Sequence, residues 1–269
     1  MLKNVVALTI AGSDSGGGAG IQADIKTISA CGVYAASVIT AVTAQNLEGV
    51  HDIQAIDPSM VEAQLRAVLD GYPVKAIKTG MLFNRDIIET VAAVIKEHLH
   101  IPVVVDPVFA ATSGSRLIKP RAVRVLREQL FPLAALVTPN LPEAEFLCGH
   151  ELRSLDDLRE TGEALYKMYK VPFLMKGGHL PGRAVDLLVD GRGAKEYAAD
   201  LVRTVNSHGS GCTFSAAIAA YLARGRSLRV AVARAKIFIT ASLRRPHYLR
   251  PGTRVINHFF RTAETKRHD

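Results

Sequence analysis

Short, almost wholly apolar runs recur along this chain, each followed by a stretch whose apolar residues fall at helical spacing. Val5 to Ile10, about Val33 to Ala44, Ile53 to Ile56, Val74 to Lys78, Val103 to Val105, Ala134 to Val137 and Pro172 to Met175 read as strands. Runs that are apolar at successive positions mark a sheet buried on both faces. Ile21 to Cys31, Pro58 to Leu69, Arg85 to His98, Glu143 to Cys148 and Leu155 to Tyr169 read as helices. Gly32 stops the first of these, and Pro58 opens the second in its first turn. Ala184 to Asp190 and Ala194 to Ala199 alternate polar with apolar residues, which predicts an edge hairpin turning at Gly191-Arg192-Gly193. Regular alternation of strand and helix predicts a three-layer α/β/α sandwich, a mostly parallel central sheet with helices on both faces. No linker, repeat or low-complexity run interrupts the pattern. Residues 1–269 are therefore expected to form one domain, with the last ~20 as a loose tail.

The polar and glycine residues are not scattered. They collect where strands end: Gly12-Ser13-Asp14, Gln45-Asn46, Thr79-Gly80, Asp106-Pro107, Asn140 and Lys176-Gly177-Gly178. In an open parallel sheet those ends share one edge, which is where ligands bind. Turn chemistry explains any one of them; their joint placement is better explained by a site.

Two glycine-rich turns bear on what the site binds. Strand, glycine loop and helix at Ala11 to Ile21 lack the Gly-Lys-Ser/Thr of a P-loop. Gly18-Ala19-Gly20-Ile21-Gln22-Ala23 satisfies a dinucleotide fingerprint, but the next strand ends in Gln45-Asn46 where a ribose-binding carboxylate belongs. A nicotinamide-dependent oxidoreductase is thereby disfavoured. The second turn, Thr204 to Ser215, runs through Gly209-Ser210-Gly211-Cys212 into a small-residue helix. Unpaired amides at a helix start favour an anion, and glycines let it approach. Cys212 in that first turn is expected to ionise more readily than a free cysteine.

Composition adds exclusions. Forty-eight per cent hydrophobic and 22% charged residues describe an ordinary globular chain. No apolar run is long enough to span a membrane, and no cleavable leader pattern is visible. Three widely spaced cysteines suit neither disulfides nor structural zinc and predict a cytoplasmic protein. The net charge of +8 lies largely after Arg224 and in the basic tail, without a nucleic-acid motif. Small anionic substrates, or no partner at all, explain it more simply, and no nucleic acid and no membrane is expected.

The segments 11–15, 22–27, 43–46, 78–82, 105–108, 137–145, 176–179 and 209–213, taken in order, resemble the hydroxymethylpyrimidine/phosphomethylpyrimidine kinases of thiamine biosynthesis, within the ribokinase-like superfamily. The resemblance runs from about Val6 to Ala241. It implies ATP- and Mg²⁺-dependent phosphorylation of 4-amino-5-hydroxymethyl-2-methylpyrimidine and then of its monophosphate, in a homodimer. It implies that Gln45 reads the pyrimidine's amino group and ring nitrogen, with Gly12, Asp24, Met81 and Val108 lining the same pocket. Gly209, Ser210 and Gly211 correspond to an anion hole, Cys212 to the base, and Lys176 to a contact for anionic groups. Asn140 and Lys236 are implied at the nucleotide, and Glu143 and Asp106 at the metal.

Phe109-Ala110-Ala111-Thr112-Ser113-Gly114 departs from the family's Met-x-Ala-Lys-Ser-Gly, so Thr112 removes a phosphate-gripping charge. Ala110 to Lys119 is expected to be a mobile flap over the substrates. Two rival readings remain: a pyridoxal/pyridoxine kinase of the same subgroup, separated by Gln45, and a non-catalytic pyrimidine-binding protein. Binding alone does not need Cys212, Asn140 and Glu143.

Overall fold

Nine strands form one sheet among the residues that the structure, a computed structural model, describes: 5–109, 120–178, 184–202, 208–250 and 253–260. In chain order they are β1 (Val6–Asp14), β2 (Tyr34–Gln45), β3 (Val50–Ala55), β4 (Val74–Thr79), β5 (Val103–Val105), β6 (Leu136–Val137), β7 (Phe173–Gly177), β8 (Ala184–Asp190) and β9 (Gly193–Ala199). Their spatial order is β3-β2-β1-β4-β5-β6-β7-β8-β9. The six strands from β2 to β7 are parallel, while β3, β8 and β9 pair antiparallel at the two sides. The chain steps from β1 to β2 on one side and later to β4 on the other. That reversal opens a crevice at the strands' carboxyl ends.

Alternation along each strand builds two cores. Leu8 and Ile10, Ile77, Val103 and Val105, Phe173 and Met175 face one side, and Ala7, Ala76, Val104 and Leu174 the other. The first side is covered by α2 (Pro58–Gly71), α3 (Arg85–Lys96), α4 (Pro120–Val125), α5 (Leu141–Cys148) and α6 (Leu155–Tyr169). The second is covered by α1 (Gly20–Ala30), α7 (Ser210–Ala223) and α8 (Leu228–Arg244). A sheet sandwiched in this way is the α/β architecture the pattern predicts. The small residues of α7, which is buried at every position from Thr213 to Tyr221, let that helix press against β1, β4 and α8. A separate pair, β10 (His247–Arg250) and β11 (Thr253–Val255), follows α8.

β8 and β9 form the expected hairpin at one edge of the sheet, with β9 as the rim and Asp186, Leu187, Leu188 and Val189 of β8 buried. The polar Asp186 that suggested alternation is tolerated there because it meets Lys236 of α8. Residues 126–133 continue α4 as irregular helical turns in a stretch that carries no clear periodicity. No helix among the described residues is long and apolar enough to cross a membrane.

Candidate active site

The carboxyl ends of the parallel strands and the starts of α5 and α7 enclose a cavity of about 720 Å³. Gly12, Gln45, Met81, Asp106, Val108, Asn140, Glu143, Lys176, Lys236 and the turn from Gly209 to Cys212 all line it. Every sequence-predicted site residue is therefore on its wall except Asp24.

β1 enters the site through a register shift between Ala11 and Ser13. Gly12 sits at that shift, where a Cβ would displace the terminal methyl of Met81, so glycine lets the Met81 side chain lie against β1. Past it, the Asp14 carboxylate gathers the glycine loop. Oδ1 accepts Gly16 N at 2.8 Å, while Oδ2 accepts Gly18 N at 3.1 Å and Ala19 N at 2.8 Å. His208 Nε2 lies 3.0 Å from the same Oδ2 and 3.3 Å from the Gln45 carboxamide. Burial pushes Asp14 up, but His208 and the loop amides outweigh it and hold the carboxyl below its ordinary range.

Gly209 caps α7 in the left-handed region, φ 79°. A Cβ there would overlap the Gly18 carbonyl oxygen, so the two glycine turns are locked against each other. Lys176 Nζ approaches the α7 start, 3.2 Å from the position a Gly211 Cβ would take. The same ammonium donates to Asp106 Oδ1 at 2.8 Å. A cation and a row of helix-start amides on one wall make an anion site.

Asp106 also accepts Thr138 Oγ1 at 3.1 Å and Ser215 Oγ at 3.0 Å. Burial pushes its carboxyl up, and the Lys176 and Lys78 ammoniums more than offset that, holding it low. Asn140 and Glu143 form a reciprocal capping box at α5: Asn140 Oδ1 accepts Glu143 N at 2.9 Å, and Glu143 Oε2 accepts Asn140 N at 2.8 Å. Glu143 Oε1 takes Phe109 N at 3.3 Å. Burial pushes Glu143 up to about 7, with Lys176 opposing and Asp106 reinforcing.

Asp24 and Cys212 need correction. Asp24 is fully buried in α1, where its Oδ2 accepts Thr9 Oγ1 at 2.6 Å and Lys78 Nζ at 2.7 Å. It faces the core because it compensates a lysine on β4. Cys212 is half-buried at the first turn of α7. Burial pushes its thiol up to about 11 rather than down; Lys78 opposes this, and the Asp24 and Asp106 carboxylates add to it. Desolvation and two nearby anions outweigh the Lys78 ammonium. Lys236 is not a solvated lysine: it is buried at the cavity wall and donates to Asp186 Oδ2 at 2.6 Å.

Asp14, which the strand-end pattern marks, lines the cavity, as do Lys78, His208 and Asp186, to which the sequence reading assigns no role. Lys78 had a signal, since a lysine closing a strand buried on both faces requires a partner. His208 had none. Thr112, Gly114 and the expected flap at 110–119 lie outside the described residues. Among the described residues, no group of three or more His, Cys, Asp or Glu side chains is placed to hold a metal ion.

The model of the family described as phosphomethylpyrimidine kinase matches residues 14–257. The chain is 48% identical over 260 residues to the thiamine biosynthesis bifunctional protein ThiED of Geobacter sulfurreducens, covering 96% of this chain and 53% of that one. It thus spans about half the length of that relative. It is 46% identical over 260 residues to the hydroxymethylpyrimidine/phosphomethylpyrimidine kinase of Rhizobium meliloti, covering 95% and 97% of the two chains. Among solved structures it is similar to an ADP complex of Bacillus subtilis pyridoxal kinase, with TM-score 0.89, 40% identity and coverage of 97% and 100%.

Proposed function

The chain belongs to the phosphomethylpyrimidine kinase family, and from that membership we propose that it phosphorylates 4-amino-5-hydroxymethyl-2-methylpyrimidine with ATP, then phosphorylates the monophosphate. One observation carries the reading: a carboxamide able to read a ring, Gln45, shares a cavity with the amide-lined turn Gly209-Ser210-Gly211 and with Lys176. The volume of about 720 Å³ suits two small ligands facing each other.

Gln45 holds the aminopyrimidine, with Gly12, Met81 and Val108 against the ring. The hydroxymethyl oxygen attacks the γ-phosphorus of ATP; its proton passes to the thiolate form of Cys212, a small fraction at neutral pH given its raised pKa, which becomes the thiol, and the bond to the β-phosphate oxygen breaks to release ADP. The amides of Gly209 to Gly211 and the Lys176 ammonium stabilise charge on the transferring group. In the second step the nucleophile is already an anionic phosphate oxygen and needs no base. Asn140 and Lys236 serve the nucleotide.

Magnesium would neutralise the ATP phosphates. Asp106 already takes three protein donors and Glu143 takes two. Such carboxylates suit an ion that keeps most of its waters and arrives with the phosphates, which is how Mg²⁺ binds. Glu143, Asp106 and Asn140 would hold those waters.

A second reading, pyridoxal kinase, is supported by the likeness to the Bacillus subtilis enzyme. An ATP-consumption assay offering the aminopyrimidine alcohol, its monophosphate and pyridoxal in parallel separates the two. Turnover of both pyrimidines above pyridoxal is expected. A clear preference for pyridoxal would overturn the proposal.

A further inference from the structure

Gln45 is gripped from both sides by groups whose hydrogen-bonding sense is already decided. Its backbone is pinned to Ser15, which donates Oγ–H to Gln45 O at 2.7 Å and accepts Gln45 N at 2.8 Å. The carboxamide retains one freedom: a half-turn that exchanges oxygen and nitrogen, two atoms of nearly the same shape.

His208 limits that freedom first. Asp14 accepts three backbone N–H groups, so it is an ionised, acceptor-only carboxylate. His208 Nε2, 3.0 Å from Asp14 Oδ2, must therefore carry a proton and donate it. The carboxamide atom 3.3 Å from the same Nε2 stands as Gln45 Nε2, which would set one N–H group against another. Only an oxygen is compatible with that position, whether the imidazole is neutral or charged. Thr43 imposes the same choice independently. Its hydroxyl donates to Ser13 O at 2.8 Å, a carbonyl that can only accept. The single hydroxyl proton goes to this shorter contact, so Thr43 Oγ1 presents a lone pair to the carboxamide atom 3.2 Å away, which stands as Gln45 Oε1. Only an NH₂ group is compatible there.

We infer that His208 and Thr43 lock the Gln45 carboxamide a half-turn from its placement here, with its NH₂ towards Thr43 and its oxygen towards His208, making His208 the positioning residue for acceptor specificity. The lock rests on the proposed kinase reading only for the identity of the ligand. With one N–H and one lone pair committed, Gln45 offers the cavity its second N–H on the Thr43 side and its second lone pair on the His208 side. A ring with an adjacent acceptor nitrogen and amino donor satisfies both. The 4-oxo analogue of the same pyrimidine carries the reversed pair, a ring N–H and a carbonyl, and leaves two buried polar groups opposed. The tether from Gln45 through His208 to Asp14 also ties the ring-reading residue to the glycine loop that packs against Gly209.

The orientation is measurable on the unmodified protein. In a ¹⁵N-labelled sample the Gln45 NH₂ protons should show nuclear Overhauser contacts to the Thr43 methyl group; contacts to the His208 ring protons instead would overturn the lock. Specificity supplies the second reading. Relative kcat/KM for the aminopyrimidine alcohol over its 4-oxo analogue should fall at least about tenfold in His208→Phe combined with Thr43→Val, the order expected for one lost hydrogen bond. The fall should come mainly through a raised KM for the aminopyrimidine, with KM for ATP little changed. His208→Gln, which keeps a donor, should retain most of the discrimination. An unchanged ratio in the double variant refutes the inference while leaving the kinase reading intact. If the unmodified protein phosphorylates neither pyrimidine, the kinase reading fails and the Overhauser contacts alone decide the lock.

Discussion

Lys78 Nζ donates to Asp24 Oδ2 at 2.7 Å, and neither side chain has any exposed surface. Burial pulls the Lys78 ammonium down, but Asp24, Cys212 and Asp106 around it hold its pKa above the ordinary lysine value. Burial holds Asp24 above its ordinary carboxylate value, with Lys78 and Thr9 opposing. The contact at 2.7 Å makes this an ion pair under the site, with its cation next to the Cys212 thiol.

Removing one partner leaves the other charge buried and unpaired. Lys78→Met should cost about 3–5 kcal/mol of stability, and Lys78→Met with Asp24→Leu should recover much of it. Urea unfolding of the single and double variants checks this. Equal stability of the single variant and the parent would show that the pair is not ionic.

The Cys212 thiol, pushed up to about 11 by burial, should be nearly all protonated at neutral pH. Its alkylation rate should climb roughly tenfold per pH unit from pH 7 towards pH 10, tracking the thiolate. A rate that levels off near pH 8 would place the pKa far lower.

Cys212→Ala should slow phosphorylation of the alcohol much more than phosphorylation of the monophosphate, since only the alcohol has a proton to lose. The two steps are measured separately with ATP saturating. Equal losses in both would assign Cys212 to the architecture of the turn.

Gly209→Ala should lower kcat by about 10²–10³-fold, the scale of losing an oxyanion donor, because its Cβ would overlap the Gly18 carbonyl oxygen. Gly225 has a similar φ, 73°, but open space around it. Gly225→Ala is the control: strain of about 1–2 kcal/mol in thermal unfolding with kcat retained. Similar kcat in the two variants would show that the Gly209–Gly18 contact is not what shapes the anion turn.

His258 is buried beside the α7 start, its Nε2 3.1 Å from Thr213 Oγ1. Burial, with Lys26 and His247 adding to it, lowers its pKa from 6.5 to about 4. The unfolded chain thus binds a proton that the folded chain refuses. This contribution to stability is complete above pH 6.5 and is lost as pH falls through about 4; it amounts to about 3 kcal/mol for the full shift. Denaturant midpoints at pH 7.5, 5.5 and 4 should fall less steeply in His258→Asn than in the parent. Parallel curves would locate the acid sensitivity elsewhere.

The order of strands and helices was legible in the residues because its causes are local. Apolar runs, the Pro58 helix start, the Asn140–Glu143 capping box and the glycines at turns each act within a few residues. Leu155–Tyr169 is a helix over the span its spacing predicts. The site's position was legible for a related reason: in a parallel sheet, polar residues at strand ends share one edge, so Gln45, Asp106, Asn140 and Lys176 meet once the sheet forms.

What those residues do to one another depends on contacts the linear pattern does not encode. Lys78 and Asp24 are 54 positions apart, Lys236 and Asp186 are 50 apart, and His208 and Asp14 are 194 apart. Desolvation depends on everything packed around a group, so it could turn Cys212 from an expected low-pKa thiol into one with a raised pKa and draw Asp24 off the cavity wall. The amino-acid sequence by itself determined the α/β fold, the edge that carries the site and most of the residues on it. Only the tertiary structure decided which charges are paired and how burial shifts their protons, because these follow from packing and from partners distant along the chain.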